Sequence, residues 1–403
     1  MLSVKLSIYI KTIFHYLRRC LIVFNKIWMR FIPKNNQLIL FTAWFGKKYA
    51  DSSMYVFEYM LEHSNYSLYW YTLDSNVYAE LKKKNIPVVH GKTLKGIWLQ
   101  IRAKMLVASV QMDDYNPMFY QGAILLDLDH GFPIKQCGFI RPAASKLWKE
   151  IQLLMRKGLQ FYTTASSPYC LEQICKIHCV QPEQVIYVNK PRIDALFDLE
   201  LRKGKNEIVD SVKQGRRAFV WMPTHRLSGH KSMEVNKILD LDLIQTICST
   251  NNIVFIIKKH FYHRSEESDL SQYPNIYDLT NEELDTQILL AQADCLISDY
   301  SACYVDYLAL NRPIILFCYD LDEYLKTDRD LLLPFAENTA GDIIKTNREL
   351  LNSMKRIIND PNDSKFANGR LNARNRYFGP NIEFGTSRAK VKEIIDQLIL
   401  ESI

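Results

Sequence analysis

The chain has 403 residues, of which 48% are hydrophobic and 24% are charged, and this composition is typical of a globular protein with a large buried core. Its length corresponds to roughly two or three domains. The formal net charge of +7 is modest for this length, so composition gives no reason to expect a nucleic-acid partner.

Residues 1–33 form the first predicted element, an amphipathic helix. The first 50 residues contain nine Lys or Arg residues and no Asp or Glu, whereas the remainder is close to neutral. The uncharged runs are too short for a spanning helix, which needs about 20 mostly apolar residues, and no cleavage site of a signal peptide follows.

At about 100° per residue, the basic side chains of this segment fall on one face, opposite a broad apolar face. This arrangement is typical of a helix that lies on an anionic membrane surface. The alternative is an amphipathic helix packed on the protein's own core. The basic residues of this face are Lys5, Lys11, Arg18, Arg19, Lys26 and Arg30.

From residue 37 onward, short apolar strands alternate with helical segments, which predicts parallel, doubly wound sheets. The first series of predicted strands comprises 37–42, 67–72, 88–89, 104–110, 123–128, 160–164 and 185–188. A polar stretch, 201–217, separates it from a second series at 218–222, 253–257, 276–279, 294–298 and 313–317.

We therefore predict an α/β protein with two Rossmann-like domains, and the absence of a GxGxxG motif favours a two-domain transferase over a dinucleotide enzyme. The predicted segments are a helix at 1–33, domains at 34–205 and 206–375, and a C-terminal helix at 376–403.

Polar residues follow four of the predicted strands at their carboxyl ends, where open α/β sheets bind ligands. These exits are 129–133, 223–226, 258–260 and the turn 298–301. We expect His130 to face His260 and Arg226 across a cleft. Two imidazoles suit proton transfer or charge neutralisation, and an arginine suits phosphate. For each histidine, a purely structural role is the alternative.

The turn after the strand 294–298 has two interpretations. Asp299 and Ser301 have the side chains of N-cap residues, and helical spacing continues over 304–310. The turn is therefore either a plain helix cap or an anion site built on the helix N-terminus.

One cysteine cluster has the residue types of metal ligands. It comprises Cys170, Cys175, His178 and Cys179. The spacing fits a helix better than the paired knuckles of a zinc site, so we expect reduced thiols and no metal.

The stretch 297–324 contains Ile297-Ser298-Asp299-Tyr300-Ser301, Asp306-Tyr307, Asn311-Arg312-Pro313-Ile314 and the run 319–324, and it resembles the signature of the CDP-glycerol glycerophosphotransferase family. Members of that family build teichoic acids and related polyol-phosphate polymers. Segment 129–135 is similar to the family's HG-T-P-x-K segment. Further similar segments occur in the family's order at 41–57, 191–194, 223–226, 259–260 and 334–341.

The resemblance covers about residues 37–375, and three positions depart from the family pattern. Phe132 stands where Thr is usual, Ala302 where a second Ser is common, and Phe261 where Pro usually follows the histidine. The first departure would alter a substrate pocket, and the second would remove one hydroxyl from the anion site.

The resemblance implies the GT-B arrangement of two Rossmann-like domains and peripheral binding at the cytoplasmic face of a bacterial membrane. It implies transfer of a polyol phosphate from CDP-glycerol to a hydroxyl of a lipid-linked acceptor, with release of CMP. The sequence contains no carboxylate pair that requires a divalent ion, and we expect no cofactor.

The resemblance also assigns roles to individual residues. His130 would be the general base, and His260 would contact the phosphates. Arg192 and Glu323 are further candidates, with a structural salt bridge as the alternative for Arg192. The donor-binding set would be Thr224, Arg226, Ser298, Asp299, Ser301 and Asp306, although Asp306 also suits a cap or an ion pair.

Two alternatives to this function remain. A glycosyltransferase of the same fold would use a sugar nucleotide and release no CMP, and a membrane-bound assembly protein with a degenerate transferase fold would show no turnover. Within the favoured function, CDP-glycerol and CDP-ribitol are both candidate donors. Primer addition and polymerisation are both open, as are the oligomeric state and the polymer itself, which is a wall teichoic acid, a capsule or a lipopolysaccharide decoration.

Overall fold

The computed structural model describes residues 28–29, 31–226, 232–260, 263, 269–328, 330–334, 337 and 340–402. The basic residues of the predicted N-terminal helix, from Lys5 to Arg30, lie outside the described residues. None of the helices in the described part of the chain has the length and apolar character needed to cross a bilayer.

The described strands form two fully parallel sheets. The first has the order β3-β2-β1-β4-β5-β6-β7, and the second has the order β10-β9-β8-β11-β12-β13. The strands of the first sheet are β1 Asn35–Phe41, β2 Ser67–Thr72, β3 Val88–His90, β4 Ala103–Ala108, β5 Ile124–Asp127, β6 Gln160–Ala165 and β7 Val185–Tyr187. Those of the second sheet are β8 Arg217–Trp221, β9 Ile253–Ile257, β10 Ile276–Asp278, β11 Cys295–Ser298, β12 Ile314–Phe317 and β13 Asp342–Ile344.

The central strands of the second sheet are buried because they lie between helical layers, as parallel sheets require. All five residues of β9 are buried, and so are all four of β11 and of β12. In the middle of the second sheet, Phe219 of β8 is paired with Phe255 on one side and Cys295 on the other. The predicted pair of parallel sheets is confirmed, and β13 is a strand that the sequence analysis did not predict.

The helices connect the strands and cover both faces of each sheet. In the first half they are Asp51–His63, Ser75–Lys83, Leu94–Arg102, Lys146–Arg156, Pro168–His178, Leu199–Arg202 and Glu207–Lys213. In the second half they are Val235–Ile238, Leu241–Thr250, Thr286–Gln292, Cys303–Leu308, Leu321–Thr327, Asn347–Asn359, Ala367–Phe378 and Ser387–Glu401.

After the second sheet, the chain returns to the first half. The hydroxyls of Ser166 and Ser167 each donate a 2.6 Å hydrogen bond to carbonyl oxygens at the end of the helix Ala367–Phe378. The carboxylate of Asp194 accepts hydrogen bonds from the backbone N–H groups of Ser387 and Arg388 at the start of the last helix. The last helix therefore packs on the first half, against the helix Asp51–His63.

The two halves also meet along the cleft between the sheets. The backbone of Gln136 donates to the Asp330 carbonyl at 2.8 Å, and that of Leu332 donates to the Ile134 carbonyl at 3.0 Å. Phe132 is buried, and its ring lies 4.9 Å from that of Phe378. The loop that carries His130 is thus fixed to the second half and to the returning C-terminal helix.

Candidate active site

The loop after β5 presents His130 to the cleft. Asp129 has a left-handed φ of 56°, which turns the chain sharply at the end of the strand. The His130 side chain is 45% exposed. Its Nδ1 atom lies 3.3 Å from the Ser109 carbonyl oxygen and 3.4 Å from Asp129 Oδ1. The ring packs edge-on against Trp44, with the centroids 5.2 Å apart.

A buried polar cluster lies behind this loop. The second oxygen of Asp129, Oδ2, lies 3.9 Å from both Lys190 Nζ and His178 Nε2. Burial alone would raise the pKa of Asp129, but Lys190 and His178 outweigh it and lower that pKa below its ordinary value. The neighbouring Asp127 has its pKa raised by burial and by repulsion from Asp129. Asp129 therefore carries the negative charge of the pair.

In the second half of the cleft, Arg226 and Asp299 bond to each other. Arg226 donates to Asp299 and to both oxygens of Asp320, at 2.8 to 2.9 Å, and to the Thr224 carbonyl. Asp299 also accepts from the backbone N–H and the hydroxyl of Thr224. Arg226, Asp299 and Thr224 are all buried. These bonds tie the three residues to one another and to Asp320, and the predicted contact of Thr224, Arg226 and Asp299 with phosphate stays a prediction.

The side chains of the turn 298–301 have local hydrogen-bond partners. Ser298 is buried, and its hydroxyl donates to the Met222 carbonyl at 2.7 Å. The predicted N-cap role of Asp299 is wrong, because its carboxylate is already bonded to Thr224 and Arg226. Ser301 accepts from the backbone N–H of Cys303 at 3.4 Å and is only partly buried.

His260 lies beside His225, with ring centroids 4.8 Å apart, at the end of β9. Burial lowers the pKa of His260 to about 3, and repulsion from the neighbouring His225, Lys48, His263 and Lys135 adds to this effect. His260 is therefore neutral near pH 7 in the free protein. Lys48 and Lys135 belong to the first half of the chain, so both halves contribute positive charge around this imidazole.

Arg192 joins the two halves through a buried ion-pair cluster. It makes a two-pronged bond to Asp306 at 2.9 and 3.0 Å, and it donates to Asp51 at 2.9 Å. It also donates to the backbone carbonyl of His130 at 2.7 Å. Gln287 donates to Asp306 as well. Asp306 is thus an ion-pair partner in this structure, and Arg192 links the second half directly to the His130 loop.

The last predicted site residue, Glu323, is exposed on the helix Leu321–Thr327. A Cβ atom placed on Gly131 would lie 3.6 Å from the Ala302 side chain, so the His130 loop rests on the turn of the second half. Among the described residues, no group of three or more His, Cys, Asp or Glu side chains could hold a metal ion.

Several residues of the cleft were missed by the sequence analysis. Lys190 lies three residues after the end of β7, and the same argument from polar residues at strand ends would have found it. Lys48 and Trp44 lie in the loop after β1, which was noted only for its resemblance. His178 was assigned to the cysteine cluster, but it points toward Asp129. Only the folded chain brings these groups together.

Two parallel α/β sheets with polar loops facing each other across a cleft define a protein of two Rossmann-like halves. The sequence profile of the CDP-Glycerol:Poly(glycerophosphate) glycerophosphotransferase family matches residues 23–395. The chain belongs to this family, and the predicted resemblance and enzyme class are confirmed at that level.

Named relatives agree with this assignment. The chain is 23% identical to the teichoic acid glycerol-phosphate transferase of Staphylococcus aureus, over 82% of this chain and 86% of that protein. It is 24% identical to the teichoic acid poly(glycerol phosphate) polymerase of Bacillus subtilis, over 81% of this chain but only 44% of that protein. The chain thus spans less than half of this polymerase.

Solved structures of the wall teichoic acid polymerase TagF have the same fold. One TagF variant superposes with a TM-score of 0.75 at 22% identity and covers 92% of this chain and 90% of that one. A second, soaked with CDPG, gives a TM-score of 0.76 at 21% identity, over 91% of this chain and 90% of that chain.

Proposed function

We propose that this protein transfers a glycerol-phosphate unit from CDP-glycerol to a hydroxyl group of a membrane-linked acceptor and releases CMP. Membership of the glycerophosphotransferase family supports the reaction class. The glycerol donor is supported by the name of the S. aureus relative and by the CDPG soak of TagF. The observation that carries the proposal is the exposed imidazole of His130, in a loop that rests on the turn of the opposite half.

His130 is the proposed general base. The hydroxyl proton of the acceptor moves to the imidazole, the oxygen attacks the β-phosphorus of CDP-glycerol, and the bond to CMP breaks. Phosphoryl transfer of this kind depends mainly on positioning and on charge stabilisation. Positioning is provided by a base that lies within reach of the acceptor hydroxyl on one side of the cleft. Charge stabilisation is provided by a charged donor site on the other side.

The proposed donor site lies on the second half. Ser301 and the backbone N–H groups of its turn would contact phosphate, and His260 would face the diphosphate. Lys48 and Lys135 extend the positive charge around His260 from the first half. Thr224, Arg226, Ser298 and Asp299 hold this turn in place through their buried hydrogen bonds.

We also propose that residues 1–33 attach the protein peripherally to the cytoplasmic face of the membrane, where the acceptor would be found. The cluster of basic residues with no acidic residue supports this role. Deletion of residues 1–33 should move the protein from the membrane fraction to the soluble fraction. Membrane association that persists after this deletion would contradict the proposal.

The function is tested by incubating purified protein with an acceptor and, in separate assays, with each of three donors. The acceptor is supplied either as membranes or as a defined lipid-linked molecule. We expect CMP release from CDP-glycerol that depends on the acceptor, with slower release from CDP-ribitol and no turnover of a UDP-sugar. The mass of the product separates addition of one unit from polymerisation. The proposal fails if neither CDP-polyol yields CMP, and turnover of the UDP-sugar would favour a glycosyltransferase.

A further inference from the structure

The two ring nitrogens of His130 have different surroundings. Nδ1 faces two oxygen acceptors, the Ser109 carbonyl and the Asp129 carboxylate, at 3.3 and 3.4 Å. A nitrogen between two acceptors carries the proton, because a lone pair there would face only lone pairs. Nε2 is then the unprotonated nitrogen, and it is the atom that can accept a proton from a substrate.

Asp129 is held from both sides. Its Oδ1 atom accepts the backbone N–H of His130 at 2.7 Å and lies beside the His130 ring. Its Oδ2 atom faces Lys190 and His178. The carboxylate therefore has one oxygen for the imidazole and another for buried positive or donor groups, so it cannot rotate freely.

A chain of donors and acceptors orients His178 in turn. Arg156 donates to Gln111 Oε1 at 2.7 Å, which fixes the amide so that its Nε2 faces His178 Nδ1. Nδ1 of His178 is then the acceptor, and its Nε2–H points at Asp129. Burial lowers the pKa of His178, which keeps its ring neutral. The order of contacts is Arg156, Gln111, His178, Asp129 and His130.

We propose that Asp129 is the positioning residue of the general base His130, and that Lys190 and the chain from Arg156 through Gln111 to His178 hold Asp129 in that role. This inference rests on the proposed function. In the reaction, His130 Nε2 takes the hydroxyl proton and the ring becomes an imidazolium. Asp129 stabilises this cation and remains ionised, and the electron pair of the broken P–O bond leaves with CMP.

Charged groups from several elements face this pair. Asp127 lies on β5, Asp114 in the loop after β4, and Lys190 after β7. Arg192 contacts the His130 carbonyl oxygen rather than its ring. Of these groups, only Asp129 places a carboxylate oxygen within 3.4 Å of Nδ1.

The first test is Asp129→Asn. Asparagine tolerates the left-handed backbone at this position, so the substitution removes the charge with little strain. We expect kcat to fall by about 10²-fold with an unchanged KM for CDP-glycerol. The acidic limb of the pH profile should move to lower pH, because the imidazolium loses its anionic neighbour. Asp242→Asn, at an exposed carboxylate that accepts a hydrogen bond from the Tyr273 hydroxyl, is the matched control and should match the wild type.

A double variant separates positioning from a structural role. In a His130→Ala background, Asp129→Asn should cause no further loss of the residual rate, because it acts through the imidazole. The inference would be overturned if Asp129→Asn lowered the rate by the same factor in the His130→Ala background as in the wild type. It would also be overturned if Asp129→Asn alone had the rate and pH profile of the wild type.

A measurement without turnover distinguishes this inference from the proposed function. Nitrogen-15 spectra of labelled histidine should show His130 as a single Nδ1–H tautomer in the wild type and as a mixture in Asp129→Asn. The same tautomer in both proteins would overturn the inference even if CMP is released. A tautomer change without any CMP release would instead count against the proposed reaction and leave the positioning intact.

Discussion

The two sides of the cleft use their polar side chains in different ways. On the first side, His130 reaches the cleft with almost half of its side chain exposed. On the second side, Thr224, Arg226 and Asp299 are buried and bonded to one another. The predicted phosphate ligands of the second side are thus part of a buried hydrogen-bond network, whereas the predicted base of the first side is open to the cleft.

Loss of the buried Arg226 should destabilise the second half of the protein. Arg226→Met would leave Asp299 and Asp320 without their cation, and removal of one partner of a buried ion pair costs about 3–5 kcal/mol. Urea unfolding measures this loss. Lys237→Met removes a cation from an exposed pair and should leave stability unchanged. A loss below about 1 kcal/mol for Arg226→Met would show that this network is not essential to the fold.

A smaller effect should come from the contact between the two sides. The Tyr55 hydroxyl donates to Asp285 of the second half at 2.6 Å, and a hydrogen bond to a carboxylate contributes about 1.5–3 kcal/mol. Tyr55→Phe should lower the free energy of unfolding by that amount and also lower kcat. The exposed Tyr187 provides the control as Tyr187→Phe. Equal behaviour of the two variants would mean that this bond does not hold the halves together.

The neutral state of His260 predicts a pH effect on donor binding. Because the pKa of His260 is lowered from 6.5 to about 3, the free protein binds no proton there at pH 7. A bound diphosphate favours the protonated ring, so affinity for CDP-glycerol should rise as pH falls, by at most about tenfold per pH unit for one proton. Calorimetry between pH 7 and 5 measures this slope. His260→Asn should flatten it, and an unchanged slope would assign the proton elsewhere.

The smallest effect is expected at the contact between Gly131 and Ala302. Ala302→Ser adds one hydroxyl to the turn, where the His130 loop approaches at ordinary contact distance. We expect stability to change by less than about 0.5 kcal/mol and the KM for CDP-glycerol to change little. A large gain in donor affinity, measured by steady-state kinetics, would show that the turn lacks a phosphate ligand in the native chain.

The strands were predictable because buried parallel strands are continuous apolar runs. The run 253–257 was predicted with the bounds found in the structure, whereas β13, which begins with Asp342, was missed although the equally short β3, β7 and β10 were predicted. The burial of Phe132 against the helix Ala367–Phe378 was not predictable, because it depends on the return of the chain to the first half.

The candidate site was predictable only in part. The polar residues at the carboxyl ends of strands led to His130 and His260. The hydrogen-bond partners of the neighbouring residues, however, come from distant parts of the chain. Asp299 has the local sequence of a cap, yet Thr224 and Arg226, more than 70 residues away in the chain, take its carboxylate. No local sequence pattern shows which distant residues will bond to Asp299. The contact between His178 and Asp129 could not be predicted for the same reason.

The central claim is that the first side supplies the base and the second side holds the donor. The most direct measurement compares CDP-glycerol binding and CMP release in His130→Ala. We predict that turnover falls by about 10³-fold or more, while the affinity for CDP-glycerol measured by calorimetry stays within about threefold of the wild type. Retained turnover would remove His130 as the base, and lost donor binding would contradict the division between the two sides.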